Sequence, residues 1–514
     1  MTGVGGTGFA NDVRVLLNVS FARHAFQAFR EALVLSVAQR WRRSRVELLA
    51  EMALMALAIG WCVLRFLGLD KCPPGLSTDE TLAGLHVECL AQTGQSADGK
   101  PWPLFASGLG GGLYTPAFLY ALFAWTRLFG ISIPSLRGMT AALTILTIVG
   151  FWLLARHLAG ARMARLTLVA AALSPWSFQL SRLGTDGPMA PAFLVWGVYF
   201  FLRSPRVVGA ALGGIALALA AYTYPPIRVP VPLLTIMLLI AERRRLRPAR
   251  LVAFLGSMLV VSLPLAIRLL DGTLMGRSKA LSIFTHDYVQ AHRGQLGPVV
   301  FMVKQSLDNL FEHLRPSYLL FTGDPNLRHS TQVMGELGWL DILAVSIAGA
   351  AVGGVLLRAL RPTPTSGNAP SKLWLVAGFA VLAGAFGTLP AALCWEGLPH
   401  ALRSIGAWPA VALFTGACLS AAWRRSRLVP VVAFALALGQ TAHFVPYYFR
   451  VYPKQSYSAW DGELRDAAET RDESKFAQEA KRFSELEFRY YLLRNFGHTC
   501  VSSREQAQKI LSGR

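Results

Sequence analysis

The sequence predicts an all-α polytopic membrane protein, a bundle of about 11 transmembrane helices with two large outer loops. Two observations predict it. Of the 514 residues, 53% are hydrophobic and 15% charged, whereas a soluble chain of this length carries about a quarter charged. The apolar residues also come in runs near the ~20 that a helix needs to cross the hydrocarbon layer, with short charged loops between them. These runs lack the alternation of barrel strands, and only helices or closed barrels satisfy their backbone in lipid.

Residues 1–45 are basic and polar, and no small-residue cleavage site follows an early apolar stretch. A cytoplasmic extension is expected. Residues 21–43 read either as an amphipathic helix on anionic lipid or as a loosely ordered basic tail. The string RWRRSR keeps this end inside. The bundle occupies 46–445, with spans at 46–67, 135–155, 166–180, 188–202, 207–222, 227–241, 251–270, 339–357, 373–393, 405–422 and 428–445. The outer loops are 68–134 and 271–338. The apolar stretch 114–129 is placed at the outer surface, because a crossing there would give every later loop the wrong charge. With that choice RHLAGARMAR, ERRRLRPAR and WRRSR all fall inside. The linker RALRPTPTSGNAPSK separates two halves of the bundle. Residues 446–514 form a small, polar, helical tail outside, with Glu479 and Lys481 as a charged pair and Phe488, Tyr490 and Tyr491 as an aromatic cluster.

The formal charge of +21 follows from arginines in short inner loops, not from a basic patch on a nucleic-acid-binding motif, so no nucleic-acid partner is expected. The six cysteines form no metal-type cluster. Cys72 and Cys89 share one outer loop, where a disulfide is chemically permitted, but two unpaired thiols are the expectation. There is no Walker motif, no dinucleotide fingerprint and no Gly-x-Ser-x-Gly elbow, so a cytosolic nucleotide-sugar site is not expected.

Some polar residues break the topological pattern. Arg182, Arg228 and Arg403 each sit in a short outer loop, where the charge rule predicts none. One arginine at a lip can snorkel to headgroups. Three in separate loops point to a shared anionic ligand, since a guanidinium fork matches phosphate. Asp79 and Glu80 follow helix-stopping residues in CPPGLSTDETLAG, and Ser77 or Thr78 caps the next helix. The helix dipole there favours ionised carboxylates, one of which can serve as a base; ordinary first-turn acids look the same. Asp186 lies four residues after Arg182, and Glu396 and His400 precede Arg403. His400 reads as a phosphate donor, a metal ligand or a satisfied lone histidine. FTGDPNLRHS adds Asp324, Arg328 and His329 around turn-forming residues.

Several motifs occur in a recognisable order: PPGLSTDETLAG, PWPLF, YTPAFLYALFAWTRLFG, LSPWSFQLSRLGTDG, YTYPPIRVPVP, FTGDPNLRHS, PHALRSIGAWPA and YYFRVYPKQSYSAW. Over roughly residues 64–460 they resemble bacterial C-type glycosyltransferases, relatives of protein O-mannosyltransferases and of the lipid A aminoarabinose transferase. The resemblance implies a multi-pass inner-membrane enzyme, N-terminus inside and C-terminus outside. It implies transfer of a sugar from a polyprenyl-phosphate carrier to a hydroxyl of a protein, lipid or glycan on the non-cytoplasmic face. Asp79 becomes the catalytic base of an inverting displacement, with Glu80 in support and Asp186 as a second acid. Arg182, Arg228 and Arg403 hold the carrier phosphate, with Tyr224, His329, Glu396 and His400 as further contacts to phosphate and sugar. No metal is required where arginines neutralise the leaving phosphate. Some oligosaccharide-transferring cousins use a divalent ion, which makes Asp79 and Asp186 alternative ligands for magnesium or manganese. Two other readings stay open: a transporter or flippase of a lipid-linked anion, and a non-catalytic envelope-assembly scaffold in which Asp79 is dispensable.

Overall fold

The computed structural model describes residues 45–359, 371–480 and 485–512. The stretch 21–43, most of the linker before Lys372, and Lys481 lie outside those residues. The helices in chain order are Arg45–Leu64 (α1), Thr78–Thr93 (α2), Pro116–Phe129 (α3), Ile133–Ala159 (α4), Ala161–Ala172 (α5), Pro175–Ser181 (α6), Ala190–Arg203 (α7), Val207–Ala220 (α8), Pro230–Glu242 (α9) and Pro248–Leu270 (α10). Then come Gly276–Leu281 (α11), His286–His292 (α12), Pro298–Glu312 (α13), Trp339–Ala359 (α14), Lys372–Ala392 (α15), Trp408–Trp423 (α16) and Val429–Arg450 (α17). Tyr452–Gln455 (α18), Gly462–Glu469 (α19), Glu473–Ala480 (α20), Glu485–Asn495 (α21) and Cys500–Ser512 (α22) close the chain.

Among the described residues, eight helical segments are long and apolar enough to cross a membrane: α1, α4, α9 with the turn before it, α10, and α14 to α17. Of the 11 expected spans, 166–180, 188–202 and 207–222 are the three without a helix of that length. Helices α7 and α8 have 14 residues each. The expected span 166–180 is two helices, because Pro175 lacks the N–H that a continuous helix needs and Ser174 caps a fresh start, its side chain accepting from Ser177 N at 3.2 Å. Arg65 fills the break. Its guanidinium donates to the carbonyls of Ala172 (2.9 Å) and Ser177 (2.8 Å).

Small residues bring α8 close to its neighbours α7 and α10. A Cβ at Gly214 would stand 2.2 Å from the Phe254 carbonyl oxygen. Helix α1 packs on α5 and α17. Trp61 stacks on Phe444 with centroids 5.3 Å apart, and Phe178 meets Tyr448 edge-on at 4.9 Å.

The outer segments converge on one end of the bundle. Helix α2 starts with a reciprocal capping box, in which Ser77 accepts from Glu80 N and Glu80 accepts from Ser77 N. Helix α3, at 14 residues, packs on α2 and α4. The tail folds over α2: Tyr490 and Tyr491 are buried, and α21 and α22 contact it. Cys89 does not pair with Cys72. It forms a disulfide with Cys500, 411 residues away, while Cys72 is a buried thiol donating to the Tyr448 carbonyl at 3.2 Å. Such a partner cannot be found from spacing, since only the folded tail brings it near.

The loop before α2 meets the tail backbone directly, and a Cβ at Gly75 would stand 1.8 Å from the Trp460 carbonyl oxygen. Gly75→Ala is expected to push the loop off the tail and destabilise the protein by about 1–3 kcal/mol. A thermal melt in detergent reads this as a lower apparent Tm, and an unchanged Tm would contradict the contact.

Candidate active site

The site is built on a buried ion pair. Arg137, in the first turns of α4, and Glu80, in the first turn of α2, are both fully enclosed. Arg137 Nε donates to Glu80 Oε1 at 2.8 Å and Nη2 to Oε2 at 3.2 Å. The remaining guanidinium donors reach the carbonyls of Leu69 (2.8 Å), Pro73 (2.9 Å) and Gly75. Glu80 also accepts from Ser77 N at 3.0 Å and Gly184 N at 2.8 Å. Every lone-pair direction of Glu80 is directed at structure. It braces the loops and holds no open position for substrate, so the support it gives Asp79 is structural and not a part in the chemistry.

The brace fixes two other carboxylates. Asp79 precedes Glu80, and Asp186 follows Gly184 by two residues. Asp186 accepts from Thr115 Oγ1 at 3.0 Å. Its pKa is raised to about 7, first by burial and then by the charge of Asp79. The Asp79 pKa is raised as well, mainly by burial; Arg277, His329 and Arg328 oppose the rise. Both acids keep part of their surface open while walled by protein. Tyr114 and Tyr224 flank them: burial pushes both phenols up, and the charges of Asp186 and Asp79 push further.

The cations divide into two kinds. Arg182 is fully buried, and its guanidinium donates to the carbonyls of Leu64 (2.7 Å), Arg65 (3.1 Å), Leu67 (2.7 Å), Gly68 (3.2 Å) and Cys72 (2.7 Å). It sits at the carbonyl end of α1, where a cation complements the helix dipole. With those donors engaged it offers nothing to a carrier phosphate, and the expectation for Arg182 is corrected accordingly. The charge of Asp186 reaches Arg228, which among the described residues has only its Nε engaged, on Ala221 O at 3.3 Å. Arg403 holds Glu396 through its carbonyl and its carboxylate (3.4 Å), and its charge reaches Tyr224 and His400. Glu396 itself is half-exposed at the rim.

Arg277, in α11 of the second outer loop, was not on the sequence-derived list. It is exposed, makes no side-chain hydrogen bond or ion pair among the described residues, and its charge reaches Asp79, Asp186, Tyr224 and His400. The signal for it existed: Arg268, Arg277 and Lys279 are basic residues at or beyond the outer end of α10, against the charge rule.

His329 and His400 stack with centroids 4.5 Å apart against Asp324. Arg328 ties the same loop to the tail through the Ala459 carbonyl and Asp461 (3.1 Å). A groove of about 550 Å³ lined by Lys71, Pro74, Pro453, Lys454, Tyr457 and Arg465 includes none of the acids.

Residues 114–267 match the family model for dolichyl-phosphate-mannose-protein mannosyltransferases. The match includes Asp186, Tyr224 and Arg228, and over that stretch it supports the C-type glycosyltransferase resemblance carried by the motifs. No curated protein matches the chain in sequence. Distant structural similarity extends further. ArnT from Cupriavidus metallidurans bound to undecaprenyl phosphate is 15% identical, aligning 89% of this chain with 75% of that one at a TM-score of 0.44. The oligosaccharyltransferase AglB from Archaeoglobus fulgidus, in complex with an inhibitory peptide and a dolichol-phosphate, is 14% identical. There 85% of this chain aligns with 60% of that one at a TM-score of 0.36.

Two outcomes test the brace and the acid pair. Glu80→Gln leaves Arg137 buried without its counter-charge, at an expected cost of about 3–5 kcal/mol, read as a large fall in apparent Tm; a small effect would show the pair to be dispensable. For Asp186 the folded pKa is raised, so its contribution to stability is complete below the ordinary value of 3.8 and is lost as pH rises to about 7. Asp186→Asn is expected to melt higher than wild type at about pH 8, with the gap closing near pH 4; a gap independent of pH would contradict the shift.

Proposed function

We propose that the protein is a glycosyltransferase that moves a sugar from a polyprenyl-phosphate carrier to an acceptor hydroxyl on the non-cytoplasmic face of the inner membrane. The observation that carries it is the meeting of Asp79 and Asp186, from separate outer segments, under the field of the unpartnered Arg277. A carboxylate with a raised pKa, beside cations free to hold a phosphate, is what an inverting displacement from a phosphate leaving group requires.

Asp79 accepts the proton of the acceptor hydroxyl as its oxygen bonds to the anomeric carbon. The bond from that carbon to the phosphate oxygen breaks, and the carrier phosphate leaves with the electron pair. Arg277, Arg228 and Arg403 stabilise the growing charge, and Tyr224 lies against the same site. Asp186 helps to orient the acceptor through the network that includes Thr115. Magnesium or manganese on Asp79 and Asp186 is the alternative. Two carboxylates and the carrier phosphate would be enough to hold such an ion, which would then share the leaving charge with the arginines. The Cys89–Cys500 disulfide supports the orientation, since it requires α2 and the tail to share an oxidising compartment. The basic string before α1 supports an inner N-terminus.

The test is release of carrier from polyprenyl-phosphate sugars by purified protein in lipid, followed by mass spectrometry with envelope acceptors. Asp79→Asn is expected to lose roughly a hundredfold or more in rate. Arg277→Gln is expected to lose roughly a hundredfold in kcat/KM. Equal release by wild type and Asp79→Asn would remove Asp79 from the chemistry. Binding without release by wild type, over a broad donor panel, would favour the transporter reading.

A further inference from the structure

We propose that Asp324, His329 and His400 form a zinc-type divalent metal site that clamps the second outer loop to the segment before α16. One ligand atom from each lies within 4.8 Å of the others. Asp324 Oδ2 is 3.1 Å from His329 Nδ1 and 3.9 Å from His400 Nδ1. Two ligands each ~2.0–2.1 Å from a tetrahedral metal stand about 3.3 Å apart, so Asp324 and His329 are already near that spacing, while His400 must close in and exchange the Arg403 N–H that its Nδ1 accepts at 3.3 Å for the metal. Two imidazoles and one carboxylate suit zinc and its first-row neighbours, not magnesium or calcium, which take oxygen.

The surroundings are those of a built site. Asp324 Oδ1 accepts from Asn326 N at 2.8 Å, and Oδ2 from Ala401 N at 2.7 Å. His400 is held from behind: its backbone N–H donates to His313 Nε2 at 3.0 Å, which leaves His313 Nδ1 to donate to Asn309 O at 2.8 Å. Outer partners of this kind orient metal ligands. Charge gives a second, independent pointer. Glu336 is buried and accepts from Asp324 N at 3.0 Å. Among the described residues, neither acid has an arginine or lysine within salt-bridge distance. A buried carboxylate without a fixed cation is costly, and a dication in contact with Asp324 offsets that cost. None of the three residues acts in the proposed step, although the charge of His329 reaches Asp79.

The test is metal content of the full-length protein purified in detergent by a tag that binds no metal, after zinc loading and dialysis. Near-stoichiometric zinc is expected, falling roughly tenfold or more in His329→Gln and in His400→Gln. Cobalt-loaded wild type should show visible ligand-field bands that both variants lose. X-ray absorption of zinc-loaded wild type needs no variant, and it should give two imidazoles with oxygen and no sulfur. Absence of zinc and of cobalt bands in wild type would overturn the proposal and leave His329 as a hydrogen-bond donor to Asp324. A sulfur-rich or all-oxygen shell, or unchanged zinc in both variants, would overturn it too.

Discussion

The Glu80–Arg137 pair is the interaction on which the outer half of the molecule depends. Removing two charges from water is expensive, and mutual attraction alone rarely repays it. Here the pair is supplemented by three carbonyls on the guanidinium and two backbone amides on the carboxylate. Those partners come from the loop after α1 and the loop after α6, which the pair locks to the start of α4. Asp79 and Asp186 are the neighbours of the two locked loops. Burial at the locked loops raises both pKa values, and the charge of Asp79 adds to the rise at Asp186.

The arginines show what a sequence can and cannot convey. A positive charge in an outer loop is visible from the charge rule, and Arg182, Arg228 and Arg403 were all found that way. The partner is not visible. A guanidinium satisfied by helix-end carbonyls, as Arg182 is, carries the same letter as one facing a ligand, and only tertiary geometry separates them. Arg277 was missed for the opposite reason. It lies in a long loop, where its break with the charge rule, shared with Arg268 and Lys279, stands out less than a lone arginine in a short one.

Legibility of the fold follows the same division. The long apolar segments α1, α4, α10 and α14 to α17 were readable because lipid imposes length and composition on them. The break between α5 and α6 was hidden in apolar sequence, although Ser174 and Pro175 announce it once helix capping is considered. The Cys89–Cys500 bond was unreadable because 411 residues separate partners that meet only when the tail docks. The form of Glu80's support was unreadable, since a capping-box acid and a catalytic acid look alike until Arg137 arrives.

The tail completes the site from outside. Trp460 seats against Gly75, Arg328 reaches Ala459 and Asp461, and Arg465 reaches the Pro74 carbonyl, so one short segment ties both outer loops together. The most direct measurement is an electron cryo-microscopy map of the protein in lipid with bound polyprenyl phosphate. Phosphate density at Arg277, with Arg228 or Arg403 beside it and Asp79 facing the open side, is the expected result. Phosphate in the groove of Lys71, Lys454 and Arg465, with the two carboxylates remote from it, would contradict the proposed transferase site.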